Sequence, residues 1–159
     1  MIMPTVKELI IVDSVWEELI HDLRKRGDGE RESGAFLLGK VGGNLISEYV
    51  CYDDLDPNCL DHGIITFDGS GYVPLWQLCK EKGLTVLADV HTHPGEWVGQ
   101  SRSDSNHPMI AQSGHIALIL PEYAQAKNLT LMDAGIYEYK GDKKWKTIKP
   151  KGGRVRLSK

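Results

Sequence analysis

The chain is poor in cysteine. It has three, Cys51, Cys59 and Cys79, in 159 residues, and no two of them have C-x-x-C spacing. An odd count without that spacing excludes a disulfide framework and a cysteine-based structural zinc site. It also fits a reducing compartment, so we expect a cytoplasmic protein whose cysteines are not nucleophiles.

Long hydrophobic stretches, repeats and low-complexity tracts are absent as well. The longest apolar run has five residues, 116–120, whereas a membrane span needs roughly 18. Residues 1–7 lack a basic segment followed by an apolar stretch, so no secretory signal is expected. Without a linker, 1–159 is predicted to be a single domain with its core at about 14–140.

Charge is distributed unevenly. The net charge is −3, but residues 140–159 contain nine lysines and arginines and one acid, Asp142. We interpret this end as a solvated strand followed by a frayed basic tail, 150–159. Nucleic-acid binding through the tail is the outside alternative and is not expected, because aromatic and basic residues do not alternate there.

Hydrophobic periodicity predicts helices over 14–26, opened by a Ser14/Glu17 capping box, and over 72–82. Helices and strands are mixed without strict alternation, which favours an α/β domain with a mixed sheet flanked by helices. The other predicted segments are an acidic loop at 53–63, a short helix at 105–113 and strands at 34–39, 45–51, 64–67, 84–90, 115–120, 131–139 and 145–148.

The segment with the clearest chemistry begins where a buried strand ends. His91 and His93 are two positions apart on an extended chain, so their side chains point to the same side. Asp104 lies 11 residues beyond His93, enough for a loop to bring a carboxylate back. Two histidines and a carboxylate form a three-ligand site typical of catalytic zinc, although iron(II) also accepts this set. A hydrolytic site needs a base, and spacing alone does not separate Glu32 from Glu30, Glu48 or Glu96.

Three motifs together resemble the JAMM (MPN-plus) metalloprotease family. They are Glu-x-Gly-x-x-Leu-Leu-Gly at 32–39, His-x-His-Pro at 91–94 and Ser-x-x-Asp at 101–104. The resemblance covers roughly 14–140. Segments 88–95 and 114–121 are similar to the small bacterial members, which often accompany ubiquitin-activating-like and ubiquitin-conjugating-like proteins.

The resemblance implies a single-domain MPN fold and one zinc ion per chain, bound by His91, His93 and Asp104. Glu32 would be the general acid/base, and Ser101 would hydrogen-bond the oxyanion. The implied activity is a deubiquitinase-like one: zinc-dependent hydrolysis of the isopeptide or peptide bond after the C-terminus of a ubiquitin-like protein. That protein or its conjugate would be the substrate.

Two other functions stay open at this point. Small relatives remove one amino acid from a sulfur-carrier protein, and many MPN domains are metal-free scaffolds. The family motifs are intact at Glu32, His91, His93, Ser101 and Asp104, which argues against a scaffold. Two residues have two interpretations each. Trp97 either lines a substrate groove or holds the site loop in place. His107 is either an ordinary loop residue or a hydrogen-bond partner of a metal ligand. His115 is expected to be buried and hydrogen-bonded. The acidic loop at 53–63 is expected either to be solvated or to attract basic residues of a substrate tail.

Overall fold

The computed structural model describes residues 8–158, so the N-terminal segment examined for a secretory signal and Lys159 of the basic tail lie outside it. The helices are α1 (Asp13–Gly27), α2 (Tyr52–Leu55), α3 (Tyr72–Lys82) and α4 (Arg102–Asn106). The strands are β1 (Leu9–Val12), β2 (Gly34–Lys40), β3 (Leu45–Ile46), β4 (Glu48–Cys51), β5 (Leu84–Thr92), β6 (Ile116–Leu120), β7 (Gly135–Gly141), β8 (Lys144–Ile148) and β9 (Val155–Ser158). No described helix is long and apolar enough to cross a membrane.

The main sheet is mixed, as predicted. Its six strands have the order β4-β2-β5-β6-β7-β8, in which β5 and β6 are parallel and the other neighbours are antiparallel. A second sheet of three parallel strands has the order β3-β1-β9.

Two hydrophobic cores lie on opposite faces of the main sheet. Alternate residues of a strand point to opposite faces, so Leu37 joins the core under α1 while Phe36 and Leu38 join the core under α3. Trp16, on α1, is buried, and its indole N–H donates to the carbonyl oxygen of Leu129. Helices therefore cover both faces, as an α/β domain requires.

The central strand β5 positions the functional site. Ala88 and Val90 face the α1 core, so Asp89 and His91 face the side of α3. β5 pairs with β2 and with β6, which fixes it on both sides. β5 ends at Thr92, and residues on either side of this end, His91, His93 and Pro94, line a cleft.

Two predictions of local structure in the N-terminal half of the chain are wrong. The Ser14/Glu17 capping box does not form, because β1 runs directly into α1 and the helix already begins at Asp13, with no side-chain cap at Val12. The strand expected over 45–51 is interrupted at Ser47, whose N–H bonds Leu38. Its first part pairs with β1 and its second part with β2.

Three further predictions fail in the loops. The acidic loop begins with one helical turn, α2. Residues 64–67 are not a strand, because Thr66 N–H bonds Cys59 instead of a neighbouring strand. The helix expected over 105–113 is instead α4. It begins earlier because Ser101 caps it. It ends before Pro108 because proline disfavours helical geometry in the preceding residue.

The C-terminal segment is not frayed within the described residues. β9 pairs in parallel with β1, from Leu9 with Val155 to Val12 with Ser158. The Val155 side chain is 2% exposed and belongs to the core under α1. The first and last strands of the described residues therefore lie in one sheet.

Candidate metal centre

Three potential ligands converge at the end of β5. One nitrogen each from His91 and His93 and one oxygen from Asp104 all lie within 4.8 Å of one another. The Nε2 atoms of the two histidines are 3.2 Å apart. The nearest carboxylate oxygens of Asp104 are 3.3 Å from His91 Nε2 and 3.1 Å from His93 Nε2.

These separations fit a tetrahedral metal. Zinc bonds of about 2.0–2.1 Å to nitrogen or oxygen, at tetrahedral angles, place ligand atoms roughly 3.3 Å apart. The two histidine nitrogens are 3.2 Å apart, and each lies close to a different Asp104 oxygen, at 3.3 Å from Oδ1 for His91 and 3.1 Å from Oδ2 for His93, so the carboxylate faces both nitrogens and offers one oxygen as the third ligand atom. The three side chains supply three corners, so the fourth corner stays available for water or substrate.

The histidine tautomer also suits a metal. His93 Nδ1 lies 3.1 Å from the carbonyl oxygen of Trp97 and donates to it, so Nε2 is the nitrogen that faces the site and would bind a metal ion after losing its proton. The Trp97 ring stacks on the His93 ring at 5.5 Å between centroids and 26° between planes. Trp97 lines the cleft and holds the site loop at the same time, so both interpretations from the sequence apply.

Asp104 is held by the helix that it opens. Its Oδ2 accepts from Ser101 N–H at 3.0 Å, and Ser101 Oγ accepts from Asp104 N–H at 3.0 Å, which forms a capping box. Burial acts against ionisation of Asp104, but bonds from His91 and His93 outweigh it and hold the Asp104 pKa well below its usual range. Asp104 therefore offers an anionic carboxylate to a metal ion at neutral pH.

Aromatic side chains from three other elements fix the loop that follows β5. Tyr137 donates to the carbonyl oxygen of Val98 at 2.7 Å. Trp145 Nε1 donates to the carbonyl oxygen of Ser105 at 3.0 Å, and Tyr72 donates to that of Met109 at 2.5 Å. Because Ser105 follows Asp104, the bond from Trp145 positions one of the three potential ligands.

Glu32 lies in the same cleft, just before β2. Its neighbour Ser33 exchanges two hydrogen bonds with Thr92, at 3.0 and 2.9 Å, and donates to Leu23 at 2.8 Å. These bonds hold the backbone at Glu32 beside the end of β5. Burial raises the Glu32 pKa above its ordinary value, and the charges of His91 and His93 oppose that rise. A carboxyl with a raised pKa is suited to receive and return a proton near neutral pH.

Gly34, the glycine of the glutamate motif, has a packing function. A Cβ at this position would lie 2.4 and 2.7 Å from the Tyr52 ring and 2.7 Å from the carbonyl oxygen of Val90. Gly34 pairs in register with His91. A side chain there would therefore displace either β5 at the metal ligand or Tyr52.

The ligands and Glu32 share one cavity of about 780 Å³. This size is typical of a ligand-binding cleft. Ser101 and His107 also line it, and His107 is exposed. The lining further includes three residues to which sequence analysis gave no role, Tyr52, Asp89 and Trp145. The two-residue spacing of Asp89 and His91 on one strand could have identified Asp89 as a cavity residue. Nothing in the sequence distinguishes Tyr52 and Trp145 from aromatic residues of a hydrophobic core.

The remaining candidates have structural explanations. His115 is buried, as expected, and its Nε2 lies 2.6 Å from Asp89 Oδ2. In the acidic loop, Asp53 and Asp54 share the single positive charge of Arg26, which balances one of their two negative charges. The three cysteines are free and buried, and burial raises the pKa values of Cys51 and Cys59 to about 12, which makes nucleophilic thiolates unfavourable.

Similar folds occur in solved structures of low sequence identity, although no protein-family model matches the sequence. A JAB1/MPN domain protein from Archaeoglobus fulgidus is 14% identical, with a TM-score of 0.52 over 96% of this chain and 99% of that chain. A structure described as a metalloprotease-like JAMM zinc site in the proteasome and signalosome is also 14% identical, with a TM-score of 0.54 over 96% and 100%.

A protein from Desulfitobacterium hafniense, known from its solution structure, is 17% identical, with a TM-score of 0.65 over 95% of this chain and 94% of that one. These matches extend over nearly the whole of each chain, so they concern the entire domain. At these sequence identities the matches establish the architecture alone, and any activity has to be inferred from the functional site. The chain is a mixed α/β domain with the MPN (JAMM) fold and a His-His-Asp group suited to a metal ion.

Proposed function

We propose that this protein is a zinc-dependent isopeptidase or peptidase that hydrolyses the bond after the C-terminus of a ubiquitin-like protein. The observation that carries the proposal is the convergence of His91, His93 and Asp104 in one cleft with Glu32. The metal would be zinc, one ion per chain, because two imidazoles, one carboxylate and an open corner are its usual catalytic set.

A bound zinc ion supplies a water of lowered pKa, about 7, and polarises the scissile carbonyl. Glu32 accepts the proton of the attacking water and then delivers it to the leaving amine. Its half-buried carboxyl lies against the ligand charges without being one of the three convergent donors. No covalent intermediate is needed, which agrees with the inert cysteines.

Ser101 donates to the oxyanion of the tetrahedral intermediate. Its Oγ already accepts from Asp104 N–H, which orients the hydroxyl while its own proton stays free to donate. One donor of this kind contributes roughly 2.7–4 kcal/mol to transition-state stabilisation.

The substrate tail lies extended across the cleft. Ile64 and Trp97 line the cavity although they are 60% and 61% exposed, so they offer apolar contacts to a bound chain. Main-chain pairing with a strand edge supplies affinity with little demand on sequence, which suits a tail that ends in small residues. Ubiquitin-activating-like and conjugating-like proteins are the proposed pathway partners.

The proposal is tested with ubiquitin-like proteins that carry a C-terminal peptide extension or an isopeptide-linked lysine. Zinc-loaded protein is incubated with each one, and intact masses are measured. We expect cleavage directly after the ubiquitin-like C-terminus, abolished by a chelator and restored by zinc. Glu32→Ala is the matched control: it keeps the zinc and loses most turnover. Wild-type cleavage by Glu32→Ala would refute the assigned role.

A further inference from the structure

An unfavourable backbone conformation occurs directly beside the metal-binding group. Glu122, Tyr123 and Ala124 follow β6 and have φ angles of 52°, 52° and 60°, so we call 122–124 the left-handed turn. In this region the Cβ atom of an L-residue crowds its own backbone, and single residues or glycine usually occupy it. Such conformations persist only where the surrounding structure holds them, and they are concentrated at functional sites.

The left-handed turn binds the backbone around one potential metal ligand. The N–H of Tyr123 donates to the carbonyl oxygen of His93 at 2.8 Å. The N–H of Glu122 donates to the carbonyl oxygen of Gly95 at 2.9 Å. His93 N–H donates in turn to the carbonyl oxygen of Leu120, at the end of β6, at 2.8 Å. Both backbone groups of His93 are therefore bound by residues 120–123, which limits where its ring can lie.

Helix α1 holds the turn from the other side through Arg24. The Nε atom of Arg24 donates to the carbonyl oxygen of Ala124 at 2.9 Å, and its Nη2 donates to that of Ala126 at 3.0 Å. The Gln125 side chain donates back to the Arg24 carbonyl oxygen at 3.3 Å. A planar guanidinium bridges two acceptors in a fixed geometry, and hydrogen bonds from a charged donor are strong. Together with the burial of Ala124, these bonds offset the unfavourable φ angles.

We propose that Arg24 is a positioning residue for the metal centre, which acts through the left-handed turn on the backbone of His93. The described lining of the metal cavity does not include Arg24, so it acts from outside the cleft. Loss of its two bonds would release the turn toward ordinary φ angles and let His93 move away from His91 and Asp104. This inference deepens the proposed function, on which it rests, by extending the support of the metal site to α1.

The zinc affinity of Arg24→Met tests the proposal. Methionine keeps an apolar stem and removes both donors. Zinc affinity is measured by competition with a chromophoric chelator in full-length protein, well below the unfolding midpoint. It should fall about tenfold, within the range typical of groups that support metal ligands. Arg24→Lys takes its place should Arg24→Met not fold, and it should also lose affinity because an ammonium cannot reproduce the fork.

Trp16→Phe is the matched control. Trp16 is also on α1, and its indole N–H donates to the carbonyl oxygen of Leu129, beyond the left-handed turn. Phenylalanine removes this bond from a buried side chain, so the unfolding midpoint should fall. Zinc affinity should stay within about twofold of the wild-type value, because the bonds of the turn are kept.

Glycine in the turn should replace part of the support from Arg24. Glu122 is exposed, and glycine adopts its φ angle without strain, so Glu122→Gly alone should leave zinc affinity unchanged. Added to Arg24→Met, it should raise zinc affinity roughly threefold, because the turn then needs less support. Such a recovery is not expected of an arginine that only stabilises the domain.

Amide hydrogen exchange in the chelated protein separates this inference from the proposed function. In Arg24→Met, exchange at the Tyr123 amide should be about tenfold faster relative to the amides of β6, since the bond to His93 opens more often. A wild type that takes up no zinc would refute the proposed function, and the exchange rates would then decide the role of Arg24 on their own. Wild-type zinc affinity in both Arg24 variants would overturn the inference, as would Tyr123 exchange no faster in Arg24→Met than in Trp16→Phe.

Discussion

Replacing Gly34 by alanine tests how the glutamate motif supports the site. The new Cβ would meet the Tyr52 ring at 2.4 Å and the Val90 carbonyl oxygen at 2.7 Å. Neither neighbour is a flexible side-chain end: Tyr52 is packed against Phe36, and Val90 is paired between two strands. The clash therefore has to be relieved by moving a strand or a buried ring.

The expected cost is at the upper end of measured overpacking, about 2–4 kcal/mol. For a domain of this size, each kcal/mol lowers the midpoint by roughly 2–4 °C, so Gly34→Ala should unfold about 4–16 °C earlier. Zinc affinity should fall too, because Gly34 is paired with His91.

Gly69→Ala is the matched control. Gly69 has nothing within 4 Å of its hypothetical Cβ and no positive φ, so alanine there should change the unfolding midpoint by less than about 2 °C. Thermal unfolding by circular dichroism and zinc titration give both readouts. A Gly34→Ala protein with wild-type stability and zinc affinity would refute the close packing of Tyr52 against β2.

Three further predictions concern the ligand helix, the base and the thiols. Trp145→Phe removes the bond to Ser105 and should weaken zinc binding about tenfold in a competition titration, within the 10–100-fold typical of such supports, while the fold is kept. Turnover should fall as the pH drops through the Glu32 pKa, which lies above its ordinary value, because a protonated carboxyl cannot accept a proton. In Glu32→Gln, the residual rate measured at fixed zinc occupancy should no longer show this fall at low pH. Cys51 and Cys59 should resist iodoacetamide at pH 8 in native protein and react after unfolding, because burial raises both pKa values to about 12.

Much of the ligand geometry could be predicted from the sequence because it is local. The strand period of two places His91 and His93 on one side, and the Ser101/Asp104 capping box orients the carboxylate within one helical turn. Glu32 is different: no periodicity selects it, and the family resemblance was needed to single it out. The structure places it in the same cleft through the bonds between Ser33 and Thr92.

The features that sequence analysis missed depend on distant pairings. The pairing of β1 with β9 joins residues 146 positions apart, and no short-range pattern encodes such a contact. Tyr52 and Trp145 resemble core aromatics in sequence, and only the fold shows that both line the metal cleft. The strand expected over 64–67 failed because its backbone bonds a neighbouring loop.

The metal content of the purified protein tests the central claim most directly. Elemental analysis is made on full-length protein purified without added metal, beside His93→Ala. The account predicts about one zinc ion per wild-type chain and loss of that zinc in the variant, because three convergent donors become two. A wild-type protein that takes up no metal even when zinc is offered would contradict it.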